Sequence, residues 1–513
     1  MDMAKSGVAL AVFALVASGA ASEWTYSQSN GTMTDGNWTF KVHVDLNQNH
    51  EEWRYVTFRE FAYVSGEGTL DMTDLKVNGL DVPQVFMDNH AFRTNNAITE
   101  FRCDRYTQNN ENWGWAIFRG CANLTNIVLH GNNGNATKLG ASWLSDCPSL
   151  KSVSISLPKL EYMENGAFGD CKALETIDIA SSSITGFWGT AFKDCSALTN
   201  INFCSSKLLA IPQEMFANCP NLKSIHFNAP ELRSLGFRAF NGKAALKDVC
   251  LESPQLENIS DEAFMNCTNL TTVDFGFIPE APALTNIGIH AFSSCKNLTA
   301  DIATLVPTSV VVVGRSAFGS CTKLTGKLHL PNIQRLGDGA FAWTRIQDVD
   351  LRGPVDNEGW YDEQYKAGVR FQGCNALTNI VFDLPNLTEL TKKDFEGVWS
   401  LKSVRFLQDP FPPQSLQRLL LGKVQLKDCV IYVSQKVWTS AERIESGCWR
   451  GLTDAEKSSS SKPEGCFGMC DVTDSDNVQS DEGSRGGRRE AWFVKCKSPY
   501  DPYVPKGFFI RVR

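Results

Sequence analysis

Between residues 70 and 410 the chain repeats one pattern of apolar positions: Phe-x-x-Cys-x-x-Leu-x-x-Ile/Val-x-Ile/Phe/Leu, usually with Ala before the Phe. One copy reads Phe168, Cys171, Leu174, Ile177, Ile179, and the next Phe192, Cys195, Leu198, Ile201, Phe203. From Leu144, which stands in the Phe place, to Phe264 every step is 24 residues; the later steps to Phe292, Phe318, Phe341, Phe371 and Phe395 are 28, 26, 23, 30 and 24. With Phe92 and Phe118 upstream, thirteen units are keyed on Phe or Leu. The Leu-x-x-Ile-x-Ile half ends in strict alternation, which predicts a short strand with Ile177 and Ile179 on one face and Asp178 on the other. The Ala-Phe-x-x-Cys-x-x-Leu half spaces apolar groups by three, which predicts one or two tight helical turns. Neither half buries its apolar side alone, whereas stacked copies do. Each copy then adds a strand to a parallel sheet at about 4.8 Å per step, giving a rod on the order of 60 Å.

The stretch Leu174–Cys195, LETIDIASSSITGFWGTAFKDC, resembles the BspA-like class of leucine-rich repeats, found in secreted and surface proteins of bacteria and some protozoa. The likeness covers about two thirds of the chain. It implies an α/β repeat solenoid: a right-handed superhelix with a parallel β-sheet on its concave face. The apolar ends of such a stack call for a cap at each end, and Trp492-Phe493-Val494 with residues 507–513 read as two strands of a small β-rich C-terminal piece. Lys243, Thr344 and Val398 depart from the pattern at the Cys place, and Asp301 and Lys327 at the first strand Ile place. The last two predict a kink or a swollen loop around residues 276–330.

Nine of the 17 cysteines (Cys121, Cys147, Cys171, Cys195, Cys219, Cys267, Cys295, Cys321 and Cys374) share the inward Cys place. Stacked at about 4.8 Å with parallel Cβ vectors, they are poorly placed for disulfides and read as buried free thiols. Cys448, Cys466, Cys470 and Cys496 lie beyond the repeats, where several pairings are open. Cys204 and Cys250 fall on outward positions, as exposed thiols or intermolecular links.

Outside the repeats, residues 1–22 carry Lys5, a ten-residue apolar core and small residues, and read as a secretory signal peptide. Residues 23–69, with Trp24, Trp38 and Trp53, read as an N-terminal cap or, alternatively, as a sugar-binding platform. Residues 411–452 read as a C-terminal cap, 453–490 as a flexible linker or loop, and 491–513 as a C-terminal β segment. The net charge of −8 (49 Lys+Arg against 57 Asp+Glu) argues against a general nucleic-acid binder. No apolar run reaches the ~18–20 residues that span a bilayer. The chain therefore reads as a secreted or cell-surface monomer.

Catalytic signatures are missing: no HExxH, no G-x-S-x-G, no P-loop and no dinucleotide fingerprint. The seven histidines are scattered, and Gly447-Cys448-Trp449 has no histidine after it to serve as a base. The reading is a non-enzyme with no cofactor, no metal and no catalytic residue. What remains is a surface. Asp178, Asn202, His226, Asp274, Asp350 and Arg405 occupy the same outward place in six units. This row either solvates the sheet or contacts a protein or cell-surface macromolecule, the second being what the family resemblance implies. The alternatives are a secreted hydrolase or carbohydrate-binding protein with its site in a cap, or a structural surface-coat protein.

Overall fold

The computed structural model describes residues 23–107, 114–131, 135–277, 282–355, 370–386 and 394–407, together with the backbone of strands Val430–Ser434, Arg450–Gly451, Cys466–Val472, Arg489–Lys495 and Gly507–Val512. The expected signal peptide, Cys448, Cys496 and most of the expected C-terminal cap and linker lie outside them. Strand Cys466–Val472, however, runs inside the stretch expected to be a linker.

The repeats wind into a β-solenoid of about 12 turns. Alternation does what it predicts: in Thr176–Ala180, Ile177 and Ile179 point inward and Asp178 outward. Adjacent copies pair in parallel with no slip, so that Ile177, Ile201, Ile225 and Val249 stand side by side. The first principal sheet has nine strands, from Gly68–Met72 to Thr272–Asp274. Two-residue strands such as Ser234–Leu235 and Asn258–Ile259 form narrower parallel sheets on another side of each turn.

The α half of the α/β expectation is corrected. Among the described residues the only helices are Ile302–Leu305 and a single 3-10 turn at Glu51–Trp53. The segment around Ala-Phe-x-x-Cys forms turns because in nearly every copy described on both sides of the Phe two residues adopt left-handed backbone, two before and two after it; the copy at Phe192 uses Gly189 and Asp194. Glu262 (φ 56) and Asn266 (φ 62) flank Phe264; His290 (φ 54) and Ser294 (φ 64) flank Phe292. A positive φ every fourth residue forbids a continuing α-helix. The backbone groups are satisfied in two other ways. Met265 N donates to Glu262 O (3.2 Å) and Cys267 N to Phe264 O (3.2 Å). The alternate amides donate to the next turn: Glu262 N to Ile289 O (2.8 Å), Phe264 N to Ala291 O (2.7 Å) and Asn266 N to Ser293 O (2.8 Å). The position before the Cys is accordingly Asp, Asn, Ser or Gly in nearly every copy, residue types that tolerate this region.

Inside, the Phe rings form one column. From Phe168 to Phe395, ten rings lie face to face with centroids 5.0–6.1 Å apart and interplanar angles of 5–18°. The nine inward cysteines are free and buried, but they are more than small apolar filling. Each thiol donates to the carbonyl of the Phe-place residue one turn back: Cys195 to Phe168 (3.1 Å), Cys219 to Phe192 (3.1 Å), Cys267 to Phe240 (3.1 Å). Several of these carbonyls also accept the amide three residues on, as Phe118 O does from Cys121 N (3.2 Å) while receiving the Cys147 thiol at 3.0 Å.

Burial also keeps some of these thiols protonated. It pushes Cys267 up from 9.0 to about 12 and Cys374 to about 11, so the Cys267 thiolate fraction at neutral pH falls about 1,000-fold. A thiol reagent added to the native, reduced protein at neutral pH is expected to modify Cys204 and Cys250 while the nine ladder thiols react only after unfolding. Mass mapping of the labelled residues checks this; rapid native labelling of Cys195 or Cys267 would refute it.

The kink expected around residues 276–330 has a defined form. Asp301 accepts from Ala303 N (3.0 Å) and caps the helix Ile302–Leu305, which replaces the strand in that copy. The first nine-stranded sheet ends there, and a second begins at Thr325–Leu330. Lys327 does not occupy an inward place: strand Thr325–Leu330 alternates with Gly326, Leu328 and Leu330 inside, which turns Lys327 out, 3.2 Å from Asp348, and the partner strand Arg345–Arg352 takes up the shift with a bulge at Gln347. At the Cys place, Thr344 and Val398 are buried like the thiols they replace. Lys243 is buried too, its amine donating to Asn241 O (2.9 Å), and burial lowers its pKa.

At the N-terminal end an eight-stranded sheet includes Glu23–Ser27, Thr32–Thr34, Thr39–Asp45 and Tyr55–Ser65. Trp24 and Trp38 are fully buried there, the latter stacked on Phe40 at 5.5 Å; only Trp53 is exposed. At the other end Val430–Ser434 continues the second sheet in parallel, and Gly507–Val512, Arg489–Lys495 and Cys466–Val472 add to it antiparallel.

Candidate functional site

The outward face of the principal sheets carries rows of side chains one strand apart. Asp178, Asn202, His226, Cys250 and Asp274 form one such row, paired residue to residue across five adjacent strands. Four of the six residues read from the sequence therefore stand together, with Cys250 between His226 and Asp274. Asp350 and Arg405 lie on the second sheet, beyond the interruption at Asp301, with Val381 between them.

The face is polar and cross-linked laterally. Ser152 Oγ donates to Asn126 Oδ1 (2.7 Å), Ser224 Oγ to Asn200 Oδ1 (2.8 Å) and Thr272 Oγ1 to Asp248 Oδ1 (2.7 Å). On the second sheet Asp350 meets His329 Nδ1 at 3.2 Å and the Arg352 guanidinium at 2.9 and 3.0 Å. His130 Nε2 lies 2.7 Å from Ser154 Oγ, and burial lowers its pKa. Side chains already bonded along the sheet are pre-ordered, which lowers the entropy lost when a partner docks.

Sequence reasoning missed a convergence on this row. His226, Cys250 and Glu252 bring an imidazole nitrogen, a thiol sulfur and a carboxylate oxygen within 4.8 Å of one another. His226 Nε2 is 3.6 Å from Glu252 Oε1. Burial, then Asp274 and Glu252, raise the Cys250 pKa; burial, then Glu252 and Asp178, raise that of Cys204. The signal was available in principle, because a 24-residue repeat places residue i beside i+24, but a search for neighbours along the chain passes over it. A separate depression of 620 Å³, lined in part by Asp170, Asp194, Asn218 and Lys243, runs along the edge that carries the Cys place.

Comparison with known proteins agrees with this architecture. The description "BspA type Leucine rich repeat region" matches in 6 copies, over residues 85–219, 189–306 and 285–411. The chain belongs to the BspA-type leucine-rich-repeat family. Its BspA-type repeats are similar to those in solved structures of a leucine-rich repeat protein from Bacteroides ovatus (19% identity over 71% of this chain and 92% of that one, TM-score 0.31). A leucine-rich cell-surface protein from Faecalibacterium prausnitzii is also similar (15% identity, 75% of this chain and 97% of that one, TM-score 0.26). A third is the pneumococcal vaccine antigen PcpA (12% identity, 80% and 95%, TM-score 0.25). No curated protein matches the chain. Among the described residues of this BspA-type protein, no helix is long and apolar enough to cross a membrane.

Proposed function

We propose that the chain is a secreted or cell-surface, non-enzymatic recognition protein that binds a protein or cell-surface macromolecule through the outward face of its principal sheets. The observation that carries this reading is the in-register row Asp178–Asn202–His226–Cys250–Asp274. Its side chains differ from strand to strand, on a scaffold whose inward positions hardly vary. A repeat needs only generic polar groups to solvate a sheet, whereas a varied row on a rigid support presents a specific pattern. BspA-type repeats supply that scaffold, and the six residues Asp178, Asn202, His226, Asp274, Asp350 and Arg405 are its proposed contacts. The buried Trp24 and Trp38 do not support a sugar-binding platform in the N-terminal sheet.

Capture of extracellular-matrix and cell-surface components by the mature chain tests the proposal. Reversing charge at Asp178→Lys, Asp274→Lys and Asp350→Lys together is expected to reduce enrichment of the captured partner at least about tenfold, equivalent to about 1.4 kcal/mol. Enrichment should also weaken with salt, as exposed charges are screened. Unchanged enrichment would move the binding site to the ends of the solenoid.

A further inference from the structure

We propose that His226, Cys250 and Glu252 form a zinc-type metal site on the outward face of the first principal sheet. His226 and Cys250 face the same way as direct partners on the strands Ser224–Asn228 and Asp248–Cys250. Glu252 follows Cys250 by two residues and adopts φ 37, which takes the chain out of the strand and leaves its carboxylate against the imidazole, 3.6 Å away. Among the described residues this is the one group of three or more His, Cys, Asp or Glu side chains whose donor atoms converge.

The chemistry selects the ion. Thiolate, imidazole and a single carboxylate suit a borderline-soft divalent cation such as zinc, while magnesium and calcium take oxygen ligands. In a tetrahedral site with bonds of about 2.0–2.3 Å the donors lie about 3.3–3.6 Å apart. The donors here lie within 4.8 Å, so rotamer adjustments on the order of 1 Å complete the site. Three protein ligands leave a fourth position facing solvent, the arrangement of a metal that binds an exogenous group rather than one that staples a fold. Cys250 also differs in kind from the ladder cysteines. Those donate to carbonyls in a dry interior, whereas this half-buried sulfur stands on the solvent side between His226 and Asp274.

Cobalt(II), added to the reduced, metal-free full-length chain, is the probe, because a thiolate ligand produces a charge-transfer absorption that oxygen and nitrogen ligands do not. One equivalent is expected to develop that absorption, and zinc(II) to abolish it by displacement. The Cys250→Ser variant should lose the band and Cys204→Ser should keep it. His226→Asn should weaken zinc binding by more than about 100-fold, beyond the cost of losing even an outer-sphere partner. His226→Asn and Cys250→Ser alter separate strands, so if one fails to fold the other still reads the site. Absence of the band in the wild-type chain overturns the proposal. So does a band that persists in Cys250→Ser, which would place the metal on other thiols such as Cys448, Cys466, Cys470 or Cys496.

Discussion

Truncation of Arg370 to alanine is expected to destabilise the stack by about 3–5 kcal/mol, the cost of removing one partner from a buried ion pair. Its guanidinium is fully buried, with Nη1 2.8 Å from Asp394 Oδ1, Nη2 3.1 Å from Asp338 Oδ1 and Nε donating to Leu336 O at 3.3 Å. Arg370 precedes Phe371, and Asp394 precedes Phe395. Both therefore stand in the place that most copies fill with Ala, such as Ala167, Ala191 and Ala340. The two charges replace an Ala–Ala contact between successive turns, and losing the arginine leaves two carboxylates dry and unneutralised. Urea unfolding of Arg370→Ala measures the loss, read from the midpoint and slope. The double variant R370A/D394A rebuilds the repeat's own Ala–Ala pair and should recover part of it. A loss below about 1 kcal/mol for R370A, the level of an exposed pair, would contradict the burial of this cluster.

Phe216→Ala is expected to cost about 3–5 kcal/mol, as truncation of a buried Phe does. The ring sits between Phe192 and Phe240, 5.6 Å from each with interplanar angles of 9° and 18°. Alanine there opens a cavity inside a column and deletes two stacked contacts worth about 0.5–1.5 kcal/mol each. In a solenoid each turn leans only on its neighbours, so the loss falls on one junction and favours separation of unfolding into two phases. Phe216→Leu is the informative partner, because the chain already tolerates Leu144 in the same place. It should lose much less than the alanine variant. Equal losses in the two would mean that the ring column, rather than filled volume, holds the turns together.

These two sites show different degrees of legibility. The Phe column follows from the recurrence of Phe at one place in every copy from Phe168 on, at steps of 24 residues to Phe264 and of 23 to 30 beyond, which leaves stacking as the common burial. The Arg370 cluster was written in the sequence as opposite charges in two successive Ala places, but it becomes meaningful only once the register of stacking is known. Helical turns at the Phe-Cys segment do not follow from the sequence, because apolar residues spaced by three suit a helix and a chain of turns equally. The deciding clue lay in the Asp, Asn, Ser or Gly before the Cys, where left-handed backbone is tolerated. The thiol-to-carbonyl bonds were invisible for a related reason: they join residues 27 to 33 apart across turns of unequal length.

Periodicity alone determined that this chain stacks, which side chains enter the interior and which outward positions share a row, because those follow from local sterics and the demand to hide apolar surface. Only the tertiary structure decided what each row brings within bonding distance. It put His226 against Cys250 and Glu252, sealed Arg370 between Asp338 and Asp394, and set strand Thr325–Leu330 one position off the repeat so that Leu328 rather than Lys327 points inward. Such pairings depend on ångström-scale register between distant segments, and a spacing pattern specifies the face of a side chain but not the neighbour it meets there.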